Sequence, residues 1–80
     1  MKARVYVTLK PGVLDPAGKA VAGGLRAMGF AELADARLGK FIELEIEGSP
    51  ENARARVEEM CRKLLANPVM EDFRVELESP

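Results

Sequence analysis

The sequence predicts an α+β fold. It is a two-layer sandwich of order β-α-β(β)-α-β, with two helices on one face of an antiparallel or mixed sheet. Three observations carry this. Three segments alternate apolar and polar residues with the period of a half-buried strand. Two proline-containing helix starts follow turns. One segment repeats apolar residues at helical spacing. At 80 residues the chain is short for more than one domain, so residues 1–80 form a single unit.

The first strand is Arg4-Val5-Tyr6-Val7-Thr8-Leu9-Lys10, with Val5, Val7 and Leu9 on one face. Pro11-Gly12 stops it. Asp15-Pro16 opens a helix, because aspartate caps free backbone N–H groups and proline fits the first turn. Its inward face is expected to carry Ala17, Val21, Gly24, Leu25 and Met28. Gly24 would allow close approach to the sheet, whereas Gly18 and Gly23 weaken the helix. Gly29 suits a left-handed C-cap, with Phe30 as its hydrophobic contact.

An extended stretch from Glu32 to Glu47 follows, long or split, and kinked near Gly39. Either one bent strand or a hairpin satisfies the pattern. Ile42, Leu44 and Ile46 share one face; Phe41, Glu43, Glu45 and Glu47 share the other. Ser49-Pro50-Glu51 starts a second helix, with Ala53, Val57, Met60, Cys61, Leu64 and Leu65 facing inward. Arg54–Glu58, Glu58–Arg62 and Glu59–Lys63 are expected ion pairs on its outer face. Asn67-Pro68 ends the helix, asparagine taking the left-handed cap. The last strand is Asp72 to Glu78, with Phe73, Val75 and Leu77 inward and Ser79-Pro80 as a tail.

Composition narrows the chemistry. Twelve Lys+Arg against 13 Asp+Glu give a net charge of −1, without the basic excess that nucleic acid requires. No apolar run is long enough to span a membrane, and the N-terminus enters a strand pattern without a signal-peptide core. Histidine is absent, which removes the commonest general base and metal ligand. The single cysteine excludes an internal disulfide. A domain of this size buries only about 60% of its unfolded surface, so association with another chain is expected.

Few residues invite a chemical role. Glu43, Glu45 and Glu47 are candidates for a hard cation, but no aspartate-rich loop accompanies them. A solvated sheet face, with Arg4, Lys10 or Arg74 as cross-strand partners, suits them better. Cys61 is a candidate nucleophile without a base, and its inward position marks a small buried hydrophobe. Tyr6 and Phe41 on an open sheet face resemble an RNA-stacking platform, but the frame is acidic. Lys10 and Lys40 flank glycine turns without P-loop spacing. The fold pattern also suits metallochaperones, acylphosphatases and regulatory domains. The first lacks its paired cysteines here and the second its arginine-bearing anion loop. A small-molecule-sensing domain, binding an amino acid or nucleotide at a dimer interface, remains the alternative.

Several segments together resemble the PurS family. They are Val5-Tyr6-Val7-Thr8-Leu9-Lys10, Val13-Leu14-Asp15-Pro16, Gly18-Lys19-Ala20-Val21, Arg37-Leu38-Gly39-Lys40, Glu59 through Val69, and Glu71-Asp72-Phe73. The resemblance spans essentially the whole chain. Ala17 replaces a common glutamine, Phe73 a common tyrosine, and Gly23-Gly24 is unusually loose.

The resemblance implies the small subunit of phosphoribosylformylglycinamidine (FGAM) synthase, in purine biosynthesis in the cytoplasm. It implies a non-catalytic homo-oligomer, most simply a dimer, bridging a PurL-type synthetase and a PurQ-type glutaminase and assisting ammonia transfer. ATP, Mg and glutamine would be used by those partners and no cofactor held by this subunit. Turn position and outward parity, rather than the resemblance, mark Tyr6, Lys10, Arg37, Lys40 and Phe41 as the residues expected at the interfaces.

Overall fold

A computed structural model describes residues 1–48 and 50–78. The elements are β1 (Lys2–Leu9), α1 (Pro16–Ala27), β2 (Gly39–Glu45), α2 (Ala53–Met60) continued by a π-helical turn (Cys61–Leu65), and β3 (Glu71–Glu78). The sheet has three strands in the order β2-β1-β3. Both outer strands run antiparallel to β1.

The alternation in β1 sets the two faces. Val5 lies opposite Ile42 and Val75, and Ala3 opposite Leu44 and Leu77, on the apolar side. Ala3, Val5, Val7, Val57, Cys61, Ala66 and Val75 form the buried core. Among the described residues, only α2 and its π turn contribute helical residues to it. α2 leans over β3, so the inward Ile42 and Leu44 of β2, and Ile46 just after it, stay half-buried.

The start and end of α1 match the sequence. The Asp15 carboxylate accepts the Gly18 N–H at 2.8 Å. At the other end Gly29 takes φ +106°. There the Phe30 N–H donates to Leu25 O and the Gly29 N–H to Arg26 O, each at 3.1 Å. That pair of bonds is a Schellman closure, and it needs the positive φ that glycine supplies.

The face of α1 differs from expectation. Gly18 and Ala22 are buried and Leu25 half-buried, while Ala17, Val21, Gly24 and Met28 are exposed. What covers the buried row is the segment 33–38, not the sheet. The close approach falls at Gly18, where an added Cβ would lie 2.5 Å from the Ala36 carbonyl oxygen. Gly24 has open space around it.

The expected extended stretch from Glu32 is also shorter. Gly39 is the first residue of β2 and pairs with Thr8, so residues 33–38 lie outside the sheet. Gly39 marks neither a kink nor a hairpin within one chain. A Cβ there would meet the Val7 carbonyl oxygen at 2.5 Å, which is why the strand can begin so close to β1.

The second helix begins at Ala53, after the turn containing Pro50 and Glu51, with Asn52 at its N-cap and no side-chain cap bond. Ser49, expected at that start, and the tail Ser79-Pro80 lie outside the described residues. Ala53, Val57 and Cys61 are buried at intervals of four. The next buried residue is Ala66, because its N–H reaches back five residues to Cys61 O at 2.9 Å. This wide turn shifts the face, and Met60 and Leu64, expected inside, are exposed.

Arg62–Glu58 and Lys63–Glu59 pair as expected, at 3.9 and 3.2 Å. Arg54 does not pair with Glu58; it donates to Val75 O at 3.1 Å and ties α2 to β3. Asn67 has a negative φ, since positive φ among the described residues is confined to glycines. It closes the turn instead, its Oδ1 accepting the Val69 N–H at 2.9 Å.

The shape is elongated. The radius of gyration is 16.0 Å, against about 12 Å for a compact chain of this length. The surface is 5700 Å², about 1,000 Å² more than a compact monomer of this mass exposes.

Candidate functional site

The polar face of the sheet is built by β1 register. Tyr6 lies opposite Phe41 on one side and Arg74 on the other. The two rings stack with centroids 5.1 Å apart, and the Arg74 guanidinium lies 4.2 Å from the centre of the Tyr6 ring. Tyr6 also donates its hydroxyl to Glu76 Oε1 at 3.1 Å, and Arg74 bonds the other oxygen of the same carboxylate. These two donors hold the Glu76 carboxyl below the usual carboxylate range, Arg74 contributing most. The result is a flat amphipathic platform held rigid by cross-strand contacts.

Charges around it are paired. Lys2 meets Glu43 at 3.4 Å, Lys10 meets Asp72 at 3.4 Å, and Arg4 bonds Glu78. Arg4, Lys10 and Arg74 therefore pair with acids of β3 rather than with the glutamate row of β2, and among the described residues Lys2 alone makes an ion pair with that row. Among the described residues no group of three His, Cys, Asp or Glu could hold a metal ion. The glutamate row is a solvated sheet face.

At one end of the sheet the loops form a second cluster. The Lys10 N–H donates to Met70 O at 2.8 Å. The Arg37 guanidinium donates to Leu9 O and fastens segment 33–38 to the end of β1. Asp15 receives a second bond, from the Leu38 N–H at 2.9 Å, so one carboxylate joins α1 to the approach of β2. The Leu38 and Gly18 N–H groups hold its pKa below the ordinary aspartate value. Pro11, Leu14, Asp15, Lys19, Asp35 and Arg37 border a shallow hollow there.

The expected interface residues thus fall into three places. Tyr6 and Phe41 meet on the platform, and Lys10 and Arg37 sit together at the loop end. Lys40 stands apart: opposite Val7, it lies on the helical side, with Nζ 3.4 Å from Leu65 O. Its parity is that of Ile42 and Leu44, not the outward parity expected from its place beside a turn. Arg74 and Glu76 were missed, although their outward parity in β3 was readable.

Cys61 is fully buried in the core, and burial pushes its thiol pKa up. That is the opposite of what a nucleophile needs. The arrangement offers recognition chemistry: stacked rings, a guanidinium lid and paired charges on a flat face.

A second surface is apolar. Leu44, Met60, Leu64 and Leu65, together with Arg56, Glu59 and Lys63, line an open groove of about 480 Å³ between β2 and the helical layer. Leu64 is 84% exposed and Met60 40%.

Comparison with known proteins places the whole chain. A family model described as PurS, phosphoribosylformylglycinamidine (FGAM) synthase, matches residues 2–79. The phosphoribosylformylglycinamidine synthase subunit PurS of Bacillus subtilis is 52% identical over 77 residues, covering 96% of this chain and 92% of its own. That of Synechocystis is 47% identical over 75 residues, covering 92% and 75%. Among solved structures, B. subtilis PurS superposes with a TM-score of 0.89 at 51% identity, covering 98% of each chain. Methanocaldococcus jannaschii PurS, described as a subunit of formylglycinamide ribonucleotide amidotransferase, gives 0.89 at 39% identity, covering 99% and 96%.

Proposed function

The chain belongs to the PurS family, a subunit of FGAM synthase in purine biosynthesis, and from that premise we propose how it serves the complex. It acts without catalytic residues of its own, as a cytoplasmic bridging subunit between a synthetase and a glutaminase. It self-associates, most simply as a dimer. ATP, Mg and glutamine are handled by the partner subunits, and this chain binds none of them.

The observation that carries the reading is the family match from residue 2 to residue 79. The geometry supports it. Cys61 is sealed in the core and the Asp15 carboxylate is committed to two backbone N–H groups. The features left over are surfaces: the Tyr6–Phe41–Arg74 platform, the Lys10–Arg37 end and an apolar groove.

Ammonia passing between active sites must avoid protonation, because ammonium is not a nucleophile. Excluding water is the work of packed subunit interfaces. A thin domain with two usable faces supplies interface area to two neighbours at once.

Co-purification of the tagged chain with the synthetase and glutaminase subunits tests the reading. A complex containing all three is expected. Absence of both partners under assembly conditions, or tight binding of an amino acid or nucleotide to the isolated chain in calorimetry, would overturn it.

A further inference from the structure

We propose that the polar face of the sheet receives an arginine-bearing basic segment of a partner subunit. Phe41 and Tyr6 anchor it, and Glu43, Glu45 and Glu47 draw it in. The proposal rests on the bridging role above and gives one of its contacts a place and a chemistry.

The centre of the face is ready for contact. Phe41 is 53% exposed within a charged frame. Its ring is already held, stacked on Tyr6 with centroids 5.1 Å apart. Tyr6 is held in turn by the Arg74 guanidinium, 4.2 Å from its centre, and by its own hydroxyl bond to Glu76. Rings fixed before contact lose little freedom on binding, and aromatic side chains inside a polar rim are common anchors of an interface. The core, α2 and the apolar groove lie on the other side of the sheet.

Charge decides the occupant. The outward cations near these rings are already paired, Lys2 with Glu43, Arg4 with Glu78 and Arg74 with Glu76. Glu45 and Glu47 follow at the Lys2 end of the sheet, and among the described residues neither has an ion-pair partner. The terminal ammonium of Met1 bonds the carbonyls of Ile46 and Gly48 rather than either carboxylate. The face therefore carries surplus negative charge. That surplus repels a phosphate-bearing ligand, and it repels the identical face of a second copy. A basic segment of a different protein matches it.

The chain shows how an arginine sits here. Arg74 lies over the Tyr6 ring while bonding the Glu76 carboxylate. A guanidinium does both at once because it is planar with its donors at the edge, whereas a lysine ammonium is a point charge. Phe41 and Glu43 offer the same ring and carboxylate, two residues apart on one face, about 7 Å along the strand. No cation lies over Phe41 among the described residues. Glu43 is free to change partner, because its 3.4 Å pair with Lys2 joins two well-exposed groups and contributes little.

The test titrates the synthetase and glutaminase subunits separately into the full chain, at low and physiological salt, with glutamine, ATP and Mg present. Sedimentation of the chain alone runs alongside. One of the two subunits is expected to bind, more tightly at low salt. Glu45→Lys should weaken that binding roughly tenfold or more at low salt and flatten its salt dependence. Phe41→Ala should weaken it roughly tenfold at both salts. Glu32→Lys makes the same change in net charge in the turn after α1, and its effect should stay under about twofold. All three side chains are exposed in the free chain, so the circular dichroism spectrum should persist. If Glu45→Lys binds no worse than Glu32→Lys, the acidic row does not draw the partner and the proposal fails. If the platform variants disturb sedimentation of the chain alone and leave partner binding intact, the face meets a second copy, which also overturns it. An unaltered chain that binds neither subunit would overturn the bridging role together with this contact.

Discussion

Substituting alanine at Gly18 and, separately, at Gly23 should move stability in opposite directions. In a helix, alanine is favoured over glycine by about 1 kcal/mol. At Gly23 an added methyl would have nothing within 4 Å, and it points away from both apolar faces of α1, so the full gain is expected there. At Gly18 the same methyl would lie 2.5 Å from the Ala36 carbonyl oxygen and 2.6 Å from Asp15 Oδ2. Both neighbours are held: the first belongs to backbone, and the second accepts the Leu38 N–H. Forcing such a contact costs about 1–3 kcal/mol, which outweighs the propensity gain. The net result at Gly18 is a loss of about 1 kcal/mol. The two variants then differ by about 2 kcal/mol, or about 8–16 °C in Tm for a chain of this length. Thermal melts followed by circular dichroism, with urea midpoints as a check, read this directly. If Gly18→Ala stabilises as much as Gly23→Ala, segment 33–38 is not packed on α1 and this account of the helix face fails.

Acid should weaken the fold through Asp15, Asp35 and Glu76, whose carboxyls are all held below their ordinary values. The unfolded chain takes up these protons first, so the stabilisation is complete above pH about 5 and disappears as pH falls through the lower folded values. Urea midpoints between pH 7 and 3 should show that decline, and Asp15→Asn should flatten it. Cys61 should resist a thiol reagent in the native chain and react fully in urea; rapid native labelling would contradict its burial. Lys10→Glu and Phe41→Ala should weaken binding to the partner subunits while leaving the circular dichroism spectrum intact. Lys40→Ala should do less, since its ammonium faces the Leu65 carbonyl. Equal effects in a pull-down would refute the separation of these sites.

The strands were legible because one pattern controls them. Alternation in β1 and β3, and from Phe41 onward in β2, put Val5, Val7, Ile42, Leu44, Phe73, Val75 and Leu77 on the correct side, while the buried Ala3 falls before the expected strand start at Arg4. The caps at Asp15 and Gly29 were legible because local backbone chemistry decides them. The face of α1 was not. The row of larger side chains, with Val21 and Met28, is what periodicity finds, but within one chain the helix buries Gly18 and Ala22. Small residues that admit a close approach leave little trace in an apolar pattern. The π turn was hidden for a different reason. A single wide turn moves Leu64 outward and brings Ala66 in, and 3.6-residue spacing cannot register it. Segment 33–38 misled because its residues are compatible with a strand, while pairing with Thr8 sets the start of β2 at Gly39. Of the candidate surface, Tyr6 and Phe41 followed from parity, but Arg74 and Glu76 needed the register between β1 and β3.

The most direct test of the central claim measures FGAM synthesis by the synthetase and glutaminase subunits, with and without this chain. Glutamine and free ammonia serve in turn as nitrogen source. A bridging subunit should be needed for the glutamine-dependent reaction, and the chain alone should turn over nothing. Full glutamine-dependent activity in its absence, or turnover by the isolated chain, would contradict the account.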